Sequence, residues 1–206
     1  MSMQMFRGFP LISDQVDVAS VGVVWRELEK ILNAKVHGDV VELGCYAGTT
    51  SLFIRRLLDE KGESAKRAFH VYDSFEGLPE KSREDQNAAG VDFKKGELAV
   101  SKKQFLQTFQ RAGLTPPVTH KGWFDELGAD DVPGEIAFAF LDGDFYGSIL
   151  TSLKLVWPHM QAGSVVLIDD YKRETLPGVE RAVRDFFQGK PAPRLRVEHN
   201  IAIIQA

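Results

Sequence analysis

The chain has almost no cysteine, no long apolar run and no surplus of basic charge. Its single cysteine is Cys45, so no intramolecular disulfide can form, and a reducing compartment such as the cytoplasm is expected. No stretch is apolar and long enough to span a bilayer, and the amino-terminal MSMQMFRGFPLIS lacks the apolar run of a signal peptide. A membrane partner is therefore not expected. With 25 Lys and Arg against 29 Asp and Glu, the formal net charge is −4. That balance has little with which to hold a phosphate backbone, which argues against nucleic acid as a partner. Internal repeats and low-complexity segments are missing as well. What remains is an ordinary globular composition, 44% hydrophobic and 26% charged over 206 residues. It is enough for one domain, residues 1–206, with a sizeable core.

Short β-branched apolar runs alternate with helical patterns. Asp39–Leu43, Ala68–Tyr72, Val118–Lys121, Ile136–Leu141 and Ser164–Ile168 read as buried strands. Their near-continuous apolar character fits a parallel sheet covered on both faces. Between them, Val16–Leu32, Thr49–Leu58, Ser101–Ala112, a segment around Ile149–Trp157 and Pro177–Phe187 carry helical spacing. The first of these lies in an amino-terminal helical segment, residues 1–38. Ser101 and Gln104 stand at capping-box spacing, and Pro177 at a tolerated first-turn position. Leu195–Val197 and Ile201–Ile204 read as a closing hairpin. The pattern predicts an α/β fold with a doubly wound, mostly parallel sheet and helices on both faces. In such sheets ligands bind beyond the carboxyl ends of the strands, at the switch in strand order. Polar residues do gather there: Glu42 and Gly44, Asp73, Lys121 and Gly122, Asp142 and Asp144, Asp169 and Asp170. One connection, residues 74–100, is long, charged and without period, and is read as a lid over the site.

The first strand runs into VVELGCYAGTTS, where Gly44 and Gly48 allow close backbone approach and positive φ. The spacing is G-x-x-x-G, not the dinucleotide fingerprint G-x-G-x-x-G. Glu42 would repel a pyrophosphate but suits a cationic, amino-acid-bearing ligand. Asp73, ending the second strand, is placed to accept hydrogen bonds from a ribose diol. An ordinary tight turn and a turn cap are the structural alternatives. After the fourth and fifth strands come LDGDFYGS and LIDDY. Four carboxylates at adjacent strand ends repel one another unless protonated or neutralised by a cation, and oxygen ligands select hard ions such as Mg²⁺, Mn²⁺ or Ca²⁺. The alternative is helix capping by Asp144 and by one of Asp169 and Asp170.

ELGCYAGTTS, YDSFEGLP, KGWFDEL, LDGDFYGS and IDDY follow in the order seen in the TylF/MycF/NovP-type sugar O-methyltransferases, the macrocin O-methyltransferase family. The chain resembles that family from about Val40 to Phe187. The resemblance implies a class I methyltransferase fold with a seven-stranded sheet whose last hairpin makes one strand antiparallel. It implies S-adenosylmethionine as methyl donor, Mg²⁺ or another hard cation beside the acceptor, and a small-molecule hydroxyl as acceptor. Asp142, Asp169 and Asp170 match the family's metal ligands and Asp144 its general base. Glu42, Gly44, Cys45, Tyr46, Gly48 and Thr49 match the methionine side of the donor site. Asp73 and Ser74 match the ribose contacts, Gly122 and Trp123 an adenine wall, and Asp142 also borders the donor. Two features depart from the pattern. Only residues 1–38 precede the first strand, where larger members carry a longer segment that helps form the acceptor pocket. Lys172–Arg173–Glu174 follows DDY, where some members have a His-containing stretch.

The chemistry expected is in-line attack of a hydroxyl on an activated methyl. A carboxylate with a reference pKa near 3.9 cannot deprotonate an alcohol unaided, so a divalent cation is expected to assist while Asp144 takes the proton. A catechol or phenol acceptor, and a donor-binding protein without transfer activity, are the competing readings. Cys45 has no neighbouring His and reads as packing. His70 reads as a sheet residue, and His120, His159 and His199 show no spacing that points to a shared site. A symmetric homo-oligomer is expected only as the common case.

Overall fold

The computed structural model describes residues 9–90, 92–191 and 194–206. The first eight residues of the amino-terminal segment and Val91 of the long connection lie outside them. In chain order the elements are α1 (Val18–Asn33), β1 (Asp39–Leu43), α2 (Thr49–Glu60), β2 (Phe69–Asp73), α3 (Lys102–Ala112), β3 (Val118–Lys121), β4 (Ile136–Leu141), α4 (Tyr146–Val156), β5 (Met160–Ile168), α5 (Pro177–Phe187), β6 (Arg194–Glu198) and β7 (Ile201–Gln205). Short 3₁₀ turns at Arg83–Asp85, Phe124–Glu126, Ala129–Asp131 and Trp157–His159 punctuate the connections.

The strands form one seven-stranded sheet in the order β3-β2-β1-β4-β5-β7-β6. β1 pairs in parallel with both β2 and β4, while β7 runs antiparallel to its neighbours β5 and β6. The α/β class, the seven strands and the antiparallel hairpin are as expected. Alternation along β1 explains the layering. Val40 joins one core with Leu28, Phe53, Leu57 and Phe105 from α1, α2 and α3. Val41 and Leu43 join the other, with Ile149, Leu153, Val179 and Val183 from α4 and α5. Strand β4, IAFAFL, is buried at every position, as a strand covered on both faces must be.

The chain moves outward from β1 through β2 to β3, then returns to the other side of β1 for β4. That reversal opens a crevice at the carboxyl ends of β1 and β4. The two ends touch there: Asp142 N–H donates to the Leu43 carbonyl (2.8 Å). A Cβ on Gly44 would sit 1.9 Å from the Asp142 carbonyl oxygen, and Gly44 has φ +90°. Only glycine meets both demands. The 74–100 connection folds on itself through Leu78 and Glu97 (N–H···O 2.8 Å), where Gly77 packs against the Glu97 carbonyl.

Candidate functional site

One cleft collects the ends of β1, β2, β4 and β5. Around β1 it is lined by Glu42, Gly44, Cys45, Tyr46 and Thr49, and around β2 by Asp73 and Ser74. Gly122 and Trp123 after β3, Asp142 and Asp144 after β4, and Asp169 and Asp170 after β5 complete the polar wall. Gly48 stands behind the lining: it is the N-cap of α2 at φ +90°, with a Cβ position only 2.9 Å from the Phe105 ring.

Glu42 is 1% exposed, and its carboxylate accepts from the Ser51 hydroxyl of α2. Burial raises its pKa to about 8; the Ser51 bond lowers it and the Asp73 charge adds to the rise. Thr49 is buried, and its hydroxyl has no hydrogen-bond partner among the described residues. Burial, then the charges of Asp73 and Glu42, push the Cys45 thiol well above its ordinary pKa. That environment makes an unreactive thiol.

Asp73 is already engaged. One carboxylate oxygen accepts the Cys45 N–H (2.8 Å) and the Tyr46 N–H (3.4 Å), and the other the Phe75 N–H (2.7 Å). The turn-capping alternative is thus realised, and it ties the glycine loop to the end of β2.

The acidic turns behave differently. Helix α4 begins after Phe145, with no side-chain cap of its own, so Asp144 is not its cap. Helix α5 likewise starts after Leu176 without a side-chain cap. Asp142, Asp144 and Asp170 instead each bring a carboxylate oxygen within 4.8 Å of the others. Asp169 lies alongside as the charge that most raises the pKa of Asp142, after burial. Burial and the charges of Asp170 and Asp169 raise Asp144 to about 7. Burial and Asp170 bring Asp169 to about 7 as well. Burial also raises Asp170, with Arg173 pulling the other way through a 2.7 Å ion pair. Hard oxygen donors that repel one another at this spacing fit a divalent cation.

Sequence reasoning missed several lining residues. Gln15 and Val16 reach the cleft from before α1, and Asp85 from the long connection. Nothing local marks any of them. Arg173 is the exception, because its place just after DDY already set it apart. Outside the cleft lining, His70 Nδ1 and His120 Nε2 meet at 3.1 Å between β2 and β3, a diagonal contact across strands whose register sets His70 opposite Val118 and His120 opposite Tyr72. Lys121 is exposed and pairs with Glu76 at 3.2 Å.

The chain matches the family model described as Macrocin-O-methyltransferase (TylF) over residues 21–197. It is 34% identical over 165 residues to 8-demethyl-8-(2,3-dimethoxy-alpha-L-rhamnosyl)-tetracenomycin-C 4'-O-methyltransferase of Streptomyces olivaceus, covering 77% of this chain and 61% of that protein. Against mycinamicin III 3''-O-methyltransferase of Micromonospora griseorubida it is 29% identical over 166 residues, covering 77% and 64%. The chain thus spans about three fifths of the length of these curated relatives. In structure it is similar to the O-methyltransferase NovP, with a TM-score of 0.79 at 24% identity over 92% of this chain and 80% of NovP, which is a likeness of fold. The family match runs from α1 into β6 and takes in all four strand ends of the cleft: the chain belongs to the macrocin O-methyltransferase (TylF) family.

Proposed function

We propose that this chain transfers a methyl group from S-adenosylmethionine to a hydroxyl of a small molecule, a sugar or a glycosylated metabolite, with a hard divalent cation on the acceptor side. The observation that carries the reading is the convergence of Asp142, Asp144 and Asp170 in the same cleft as Glu42, Gly44 and Asp73. Family membership supports methyl transfer, and the rhamnosyl group in one relative's name supports a sugar-bearing acceptor.

On the donor side, Glu42 and the Gly44–Thr49 turn hold the methionine end, where a buried carboxylate suits an ammonium group. Asp73 and Ser74 meet the ribose, and Gly122 and Trp123 wall the adenine. On the acceptor side, Asp142 and Asp170 would hold the cation with Asp169, the third ligand that the family resemblance implies, although it is Asp144 that meets Asp142 and Asp170 within 4.8 Å. The cation when bound lowers the cost of ionising a hydroxyl. Asp144 takes the hydroxyl proton as the methyl is transferred. Alignment of the two substrates by these rigid strand ends contributes several kcal/mol to the rate.

The test is transfer from labelled donor to a sugar panel and a phenol panel, with and without chelator. Sugar turnover that chelation stops is expected; turnover confined to phenols would move the acceptor class, and none on either panel would leave a donor-binding protein. Asp144→Asn is expected to lower kcat by about 10²–10⁴ with S-adenosylhomocysteine affinity kept. Asp169→Asn should weaken Mn²⁺ binding. Mn²⁺ affinity unchanged in Asp169→Asn would remove that ligand, and wild-type rates in Asp144→Asn would remove the base.

A further inference from the structure

We propose that Asp85 is a positioning residue. Its carboxylate fastens the long 74–100 connection to the turn carrying Asp144, and this bond sets how tightly the acidic cluster holds a cation. The inference rests on the cation reading above and deepens it.

Asp85 is 1% exposed, far from both acidic turns in sequence yet lining the same cleft. One of its oxygens accepts the Tyr146 N–H at 2.7 Å. The other accepts the Ser82 N–H at 3.0 Å and the Ser82 hydroxyl at 2.6 Å. Tyr146 is the first residue of α4, and that helix has no side-chain cap from its own N-cap residue, Phe145. The capping acceptor therefore comes from the long connection.

The position of that bond gives it a second consequence. Two residues upstream, Asp144 holds φ +58°, a conformation that a non-glycine residue keeps only when its surroundings enforce it. Fixing the Tyr146 N–H fixes the direction in which the chain leaves Asp144. Helix α5 closes the arrangement from the other side. A Cβ on Gly178 would fall 1.8 Å from the Asp85 oxygen and 2.9 Å from Tyr146 N, so the bond is packed against a residue that has to be glycine. The same connection is tied to the stretch after Asp170, through Asn87 Nδ2 to the Thr175 carbonyl (2.9 Å), and to α5, through Arg181 to the Glu84 carbonyl (2.8 Å). The connection thus braces both acidic turns against each other. Groups that orient ligands from behind commonly change metal affinity by about 10–100-fold when removed.

The experiment measures Mn²⁺ and S-adenosylhomocysteine affinity by calorimetry, well below each variant's Tm. It uses the wild-type chain, Asp85→Ala, Asp85→Asn and Gly178→Ala. Asp85→Ala and Gly178→Ala are expected to weaken Mn²⁺ by about 10–100-fold and to leave S-adenosylhomocysteine affinity unchanged. Asp85→Asn keeps an oxygen for the Tyr146 N–H but gives up the Ser82 N–H bond, so it should recover most of the Mn²⁺ affinity while staying less stable than the wild type, an outcome that lost stability alone would not produce. Should Asp85→Ala fail to fold, Gly178→Ala and Asp85→Asn carry the comparison. Wild-type Mn²⁺ affinity in both Asp85→Ala and Gly178→Ala, or in Gly178→Ala where Asp85→Ala does not fold, overturns the proposal. So does a loss shared equally by S-adenosylhomocysteine. A wild-type chain that binds no Mn²⁺ overturns the cation reading and this inference together, and no variant result can be mistaken for it.

Discussion

Asp144 and Asp170 sit at φ +58° and +54°, and Tyr46 and Phe75 at +44° and +56°. Each follows a different strand that feeds the cleft. Left-handed backbone costs a non-glycine residue roughly 1–2 kcal/mol, so four such residues at strand ends mark turns that aim side chains inward rather than continue a helix or strand. Aspartate tolerates the region better than most residues, which suits the two acidic turns. Gly44 faces a harder constraint, with φ +90° and a Cβ position inside contact distance of the Asp142 carbonyl. Gly44→Ala is expected to lower stability by about 2–4 kcal/mol through strain and displacement of the β4 end. A denaturant midpoint matching the wild type would show that the two strand ends are not in contact. The acidic pairs were legible at this scale because D-x-D and D-D stand out in the chain. Asp85 was not, because its partner Tyr146 lies in a distant segment and no local pattern links them.

Elements were legible where they carry their own signals. Ser101 and Gln104 form the capping box at the start of α3, with the Ser101 N–H donating to Gln104 Oε1 (3.0 Å) and the Gln104 N–H to Ser101 Oγ (3.3 Å). Ser101→Ala should cost about 1 kcal/mol and leave donor binding intact, since α3 presents no residue to the cleft lining. An unchanged thermal midpoint would count against the box. Strand β5 shows the opposite case. Its apolar end, Ser164–Ile168, was expected, but the strand begins at Met160 and includes the exposed Ala162 and Gly163. Those residues have no apolar pattern of their own. The start of the strand enters the sheet through Met160, which pairs with Ile136 of β4, and Gly163 N–H donates to the Ala206 carbonyl (3.2 Å). Helix α4 was foreseen from its apolar face, yet its cap comes from another part of the chain, which no reading of its own ends could supply.

For the whole molecule, burying Glu42 and the acidic cluster together has a consequence for stability. Without a cation their folded-state pKa values lie above the unfolded ones: Glu42 near 8, Asp144 and Asp169 near 7, and Asp142 raised well beyond its ordinary value. The folded chain therefore binds more protons than the unfolded one. The contribution is present below the unfolded values and is lost as pH rises through the folded ones. His70 and His120, with pKa values lowered chiefly by burial, slope the opposite way, but only below about pH 6.5. Between about pH 6.5 and 8.5 the carboxyls dominate. Tm in chelator is expected to fall across that window, and Mg²⁺ to raise it more at the alkaline end. A flat profile, or equal stabilisation at both ends, would show that the cluster is not held in this strained state of charge. No helix among the described residues is long and apolar enough to cross a membrane.

By itself the sequence determined the alternation of strand and helix, the doubly wound class, and the family, because these rest on periodicity and on short runs of neighbouring residues. It also marked which strand ends carry acid. Only the tertiary structure decided which carboxylates converge, that Asp73 ties the glycine loop to the end of β2, and that Asp85 braces the acidic turns. Those outcomes depend on contacts between segments remote in sequence, whose geometry follows from sheet order, packing against α5 and the few backbone conformations that a crowded crevice allows.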